Sequence, residues 1–116
     1  MIDGLVVGRD ELAELYAALW NSDVDAVTLD LCRVRLAQLL GVPVEPDASR
    51  GVTTLTDSQR AALAYTEQYA LDVNGFTDTD ADVVKAHFTL SQIATLTIAV
   101  ATFDAMTRVR AMVGAT

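Results

Sequence analysis

Cysteine, histidine and proline are nearly missing from this chain, which holds one Cys, one His and two Pro in 116 residues. A lone thiol, Cys32, cannot close an intramolecular disulfide or run a dithiol cycle by itself. One His and one Cys also fall short of a zinc ligand cluster, and the carboxylates show no calcium-loop spacing, so no metal is expected. Basic residues are scarce, with 8 Lys and Arg against 16 Asp and Glu, a formal charge of −8. With no basic run to offset that balance, phosphate backbones and anionic headgroups are repelled, so neither nucleic acid nor a membrane is an expected partner. Glycine-rich phosphate motifs are absent too: Gly4 and Gly8 form neither a P-loop nor a dinucleotide fingerprint, and no cofactor is expected. Residues Met1 to Asp10 lack the basic start of a secretory signal, and a cytoplasmic location is the expectation.

What the chain has is apolar residues, at 52%. Combined with the charge, that content requires segregation into a core under a solvated acidic surface. The length suits one domain, residues 1–116. Leu12, Leu15, Tyr16 and Leu19 recur at helical spacing, giving a first helix from about Asp10 to Trp20. Ser22 or Asp23 is placed to cap a second, which runs to about Leu40 and stops at Gly41. Pro43, Pro46 and Gly51 make Gly41 to Leu55 a loop, long enough to be functional or mobile.

Three later helices open on Thr-led capping boxes: Thr56 with Gln59, Thr77 with Asp80, and Thr89 with Gln92. They are expected to end near Val73, His87 and Val113. No stretch alternates with a period of two, so the fold class is all-α, about five helices with a long buried C-terminal helix.

That last helix would be roughly 36 Å long. The 18-residue stretch from Ala86 to Phe103, which includes the first part of that helix, carries no formal charge, close to a membrane-spanning length, but Thr, Ser and Gln interrupt it and Asp104 follows. Between Ile93 and Phe103 it is apolar or small on every side and must be surrounded. In so small a domain a second protomer is a natural source of cover, so a homo-oligomer is expected.

Helix two carries the main polar cluster, because Ala26, Asp30, Arg33 and Ala37 share a stripe. An ordinary surface ion pair is the simplest reading of Asp30 with Arg33. An enclosed pair would hold Asp30 ionised and oriented, as a proton acceptor or an anion site requires. Cys32 reads as a buried, inert thiol. His87, near the end of the fourth helix, suits capping or packing and is otherwise placed to titrate near neutrality.

The run Asp30-Leu31-Cys32-Arg33-Val34-Arg35-Leu36-Ala37-Gln38-Leu39-Leu40-Gly41 resembles the helix leading into the active site of the carboxymuconolactone decarboxylase and alkylhydroperoxidase D-like family. Leu55 to Ala64, then Phe88 to Ile93 and a closing helix with Arg108, are similar to the rest of that domain, so the likeness covers about residues 25–114. It implies an alkylhydroperoxidase D-like fold and an oligomer. In the family's redox branch an acid on this helix is followed by Cys-x-x-Cys and a histidine. Carried over, the acid falls on Asp30, the cysteines on Val42 and Glu45, and the histidine on Ser49. The dithiol centre is therefore degenerate, and Pro43 sits where a reactive helix would begin.

Three functional readings follow. In the first, the chain keeps the oligomeric scaffold without dithiol peroxidase activity and binds a small ligand. In the second, it is a cofactor-free lactone decarboxylase-like enzyme, with Asp30 or His87 moving a proton and Arg33, Arg35 or Arg108 holding a substrate carboxylate. In the third, it is a structural protein whose 41–55 loop meets a partner through Glu45, Asp47 and Arg50.

Overall fold

The computed structural model of the chain describes residues 11, 13–75 and 77–114. Among them are five α-helices and no strand: α1 over residues 13–19, α2 Ala26–Leu40, α3 Asp57–Asp72, α4 Asp78–His87 and α5 Leu90–Gly114. A 3-10 turn, Val73–Gly75, follows α3. The expected start of the first helix at Asp10, and Leu12 of its apolar face, lie outside the described residues.

Helix boundaries follow local chemistry. Thr56 and Gln59 exchange side-chain to backbone hydrogen bonds at 2.9 and 3.1 Å, and Thr89 and Gln92 repeat the pattern. Thr77 and Asp80 complete a capping box before α4. Gly41 takes φ +71°, a left-handed geometry that costs a glycine little, and its N–H and that of Val42 bond back into the last turn of α2.

The start of α2 differs from expectation. Asp25 caps it, accepting from the backbone N–H of Val27 and Thr28. Ser22 closes the preceding turn by donating to the Leu19 carbonyl at 2.6 Å. Asp23 is drawn away by α5, where the hydroxyls of Ser91 and Thr95 donate to its two carboxylate oxygens at 2.7 and 3.0 Å.

Helix α2 packs on α3 and α5. Leu29, Cys32 and Leu36, three and four residues apart, meet Ala62 of α3 and Leu96, Ala99, Val100 and Phe103 of α5 in one buried cluster. Each large side chain enclosed there contributes roughly 1.5–3 kcal/mol of transfer free energy. Tyr16 and Trp20 close the cluster at one end, with ring centroids 6.1 and 5.8 Å from that of Phe103. Buried Thr66, Thr102 and Thr107 each donate to the carbonyl four residues back, which satisfies their hydroxyl protons within the helix.

The expected enclosure of α5 is met on one face only. Leu96, Ala99, Val100 and Phe103 are buried, whereas Leu90, Ile98, Val109 and Met112 are exposed, and every side chain from Arg108 to Val113 is exposed. Leu90–Val113 has the length and hydropathy to cross a bilayer, but buried core helices reach the same values, and its inner face is already occupied by α2.

Candidate functional site

The polar cluster of α2 is built around one carboxylate. Asp30 is fully buried, one turn from the start of the helix and beneath the loop that follows its end. Arg33, on the next turn, reaches its Oδ1 through Nε at 2.8 Å and Nη2 at 2.7 Å. Oδ2 accepts three bonds from the loop: the Asp47 N–H at 2.8 Å, the Ser49 N–H at 2.9 Å and the Ser49 hydroxyl at 2.6 Å. Arg33 also donates to the Glu45 carbonyl at 2.7 Å.

Four hydrogen bonds and a second guanidinium contact therefore converge on two oxygens, which fills the roughly four lone-pair sites a carboxylate offers. The loop can deliver them because Pro43 and Pro46 restrict its backbone, and a turn over residues 47–52 closes through Arg50 N–H to Asp47 and Val52 N–H to Ser49, with Gly51 at φ +83°.

The electrostatics follow from that geometry. Burial on its own raises the pKa of Asp30, but the bonds from the Ser49 hydroxyl, the Ser49 and Asp47 amides and Arg33 outweigh it and hold the carboxyl below its ordinary value. The group is an ionised acceptor with no vacant lone pair directed at a cavity. The cleft that touches Arg33, shared with Tyr16, Val44 and Phe103, measures about 30 Å³, about one water's share of liquid volume.

The simplest sequence reading, a surface ion pair, is corrected here. Asp30 has no exposed side-chain area and Arg33 only 18%, because the loop folds over them. That loop, expected to be functional or mobile, is tied down at Glu45, Asp47 and Ser49. The side chains of Glu45, Asp47 and Arg50 are exposed, and Arg50 donates to the Pro46 carbonyl at 2.8 Å.

The remaining candidate residues lie elsewhere. Arg35 pairs with Glu67 of α3 at 2.8 Å, and Arg108 pairs with Asp104 along α5 at 3.1 Å. His87 is the exposed last residue of α4, where its charge acts on Asp57 at the start of α3. Of the named groups, Asp30, Arg33, Glu45, Asp47 and Ser49 come together. Val42 belongs to the C-terminal turn of α2, its N–H bonded to the Ala37 carbonyl at 2.8 Å.

Cys32 is buried on the opposite side of α2, and burial pushes its thiol up to about 11, partly offset by a hydrogen bond with Thr66. Such a thiol is almost wholly protonated at neutral pH and is a poor nucleophile. Among the described residues no group of three His, Cys, Asp or Glu side chains is placed to hold a metal ion.

Besides the loop's bonds to Asp30, sequence reasoning missed the clasp of Asp23 on α5. Its signal is tertiary, since Ser91 and Thr95 lie 68 and 72 residues away. No protein-family model matches the chain, and no curated protein matches it.

Proposed function

We propose that this chain is an oligomeric scaffold or binding protein without redox or proton-transfer chemistry of its own, a divergent relative of the carboxymuconolactone decarboxylase and alkylhydroperoxidase D-like family. The observation that carries this reading is the saturation of Asp30. A general base needs a lone pair within reach of a substrate proton, whereas both oxygens here are engaged by Arg33, Asp47 and Ser49.

In this reading the acid keeps its place on the helix and takes on a structural task. Ser49, in the position carried over from the histidine, binds the carboxylate directly and latches the loop to α2. The decarboxylase-like reading needs Asp30 or His87 to meet an arginine in a pocket, and Arg35 and Arg108 are paired on other surfaces. The oligomeric part of the proposal rests on α5, whose outer face and last two turns leave Leu90, Ile98, Val109 and Met112 exposed. Exposed apolar surface of that extent on a small domain marks an association site.

Two measurements test the proposal. Incubation with hydroperoxide and a dithiol reductant is expected to show no consumption above the protein-free rate, and turnover abolished by Cys32→Ala would overturn the redox half. Sedimentation equilibrium on the full chain is expected to give a mass above the monomer's 12.4 kDa, and a monomer at all concentrations would overturn the oligomeric half.

A further inference from the structure

The exposed end of α5 and a groove on the far side of the domain have complementary chemistry. The groove lies between α3 and α4, has a volume of about 350 Å³ and is floored by Ala61, Ala64, Leu71, Val83 and Val84. Leu71 and Val83 are 71% and 46% exposed. The charged residues lining it are Glu67 and Asp80, both acidic. Asp78 and Asp82 stand exposed on the same helix against one exposed lysine, Lys85, which leaves α4 net acidic, and Arg35 offsets the charge of Glu67.

The last two turns of α5 have the opposite character. Val109 and Met112 are 59% and 71% exposed, Arg108 and Arg110 flank them, and with Arg108 paired to Asp104 one turn earlier Arg110 is the cation of this end with no acid beside it in sequence.

The two surfaces cannot meet within one chain. Two residues separate the end of α4 from the start of α5, and α5 carries Met112 roughly 33 Å from Leu90 at 1.5 Å per residue. Its far end lies instead beside α1, as the cleft shared by Tyr16, Met106 and Arg110 records.

We infer that the C-terminal end of α5 of one copy docks in the α3–α4 groove of a second copy, with Val109 and Met112 in the apolar floor and Arg110 against Asp80 on the rim. This is helix-in-groove recognition, in which apolar anchors on successive turns set affinity and flanking charges set orientation. The contact joins two different surfaces, so exchanged reciprocally between two copies it builds a two-fold dimer, and made in one direction it is heterologous and builds a ring or an open chain. The inference rests on the oligomeric reading and adds its partner and surface.

The test uses two full-length variants, each altered at an exposed position on one half of the contact. Val83→Lys places a cation in the groove, and Met112→Glu places an anion on the helix end. Far-UV circular dichroism confirms that each retains its helices. Docking predicts that each variant alone loses self-association by ~10-fold or more, the loss typical of a central apolar anchor. It also predicts that an equimolar mixture associates again, because the unaltered helix end of the first fits the unaltered groove of the second.

Loss with Met112→Glu alone, with no effect of Val83→Lys, would overturn the inference in favour of pairing between α5 faces. Flotation of the parent chain with phosphatidylcholine vesicles, abolished by Met112→Glu, would assign the helix end to lipid and overturn it as well. Undiminished oligomers in both variants would remove this docking mode while leaving the oligomeric reading standing, whereas a monomeric parent chain would remove both.

Discussion

Replacing Asp30 by asparagine exchanges one carboxylate oxygen for an NH2 group and tests the latch directly. The amide keeps the shape of the carboxylate but offers one acceptor and one donor in place of two acceptors. With its oxygen toward the loop, the NH2 group confronts the Arg33 guanidinium that now bonds Oδ1 at 2.8 Å. With its nitrogen toward the loop, the N–H groups of Asp47 and Ser49 lose their acceptor. Either orientation leaves buried donors unpaired and removes the charge that balances Arg33.

Unpartnered buried donors cost about 1–3 kcal/mol, and breaking a buried ion pair costs about 3–5 kcal/mol. Arg33 retains some exposure and can turn to water, so a loss of about 3 kcal/mol is expected. At roughly 2.1 cal/mol/K of unfolding entropy per residue, a domain of this length loses about 12 °C in Tm. Urea unfolding followed by the fluorescence of Trp20 reads the first quantity and calorimetry the second. Limited proteolysis should show new cleavage between Gly41 and Leu55. A change below about 0.5 kcal/mol, with the loop still resistant, would refute the argument, because a saturated buried carboxylate cannot be neutralised at so little cost.

Ser49→Ala removes one of three donors to Oδ2 and leaves no buried group unpaired, so urea unfolding should register a smaller loss of about 1–2 kcal/mol. Cys32 should resist aromatic disulfide reagents at pH 8 in the folded protein and react on addition of denaturant, since its thiol is buried and shifted to about 11; stoichiometric reaction without unfolding would contradict its placement. Phe103→Ala should cost about 3–5 kcal/mol, and the loss of a ring 5.8 Å from Trp20 should change the fluorescence of the native state. Stability should fall in acid. The folded pKa of Asp30 is depressed, so its contribution is complete above the unfolded value of about 3.9 and disappears as pH drops through the folded value; Asp30→Asn should flatten the stability profile below about pH 4.

The parts of this fold legible in the sequence are those whose causes lie within a few residues. Thr56 with Gln59, Thr77 with Asp80, and Thr89 with Gln92 act over three positions, and Gly41 ends its helix through its own backbone freedom. Readings that needed distant partners went astray. Ser22, Asp23 and Asp25 are all competent caps, and the choice falls on Asp25 because Asp23 is held by Ser91 and Thr95 across the domain.

The candidate site divides in the same way. Helical spacing alone pairs Asp30 with Arg33, but whether that pair meets water depends on Ser49, 19 residues later, and on how Pro43, Pro46 and Gly51 bring it back. The apolar pattern of α5 shows that the helix needs cover and is silent on its source: α2 supplies it at Leu96 and Phe103, and no described element supplies it at Val109 and Met112.

The most direct test of Asp30 as a structural latch is the NMR titration of its carboxyl carbon alongside the amide signals of Asp47 and Ser49. A latch predicts a midpoint below the ordinary value of about 3.9, with the two loop amides shifting over the same pH interval as their acceptor is lost. A carboxyl that titrates near neutrality, independently of those amides, would mark a group poised for proton transfer and contradict the structural role.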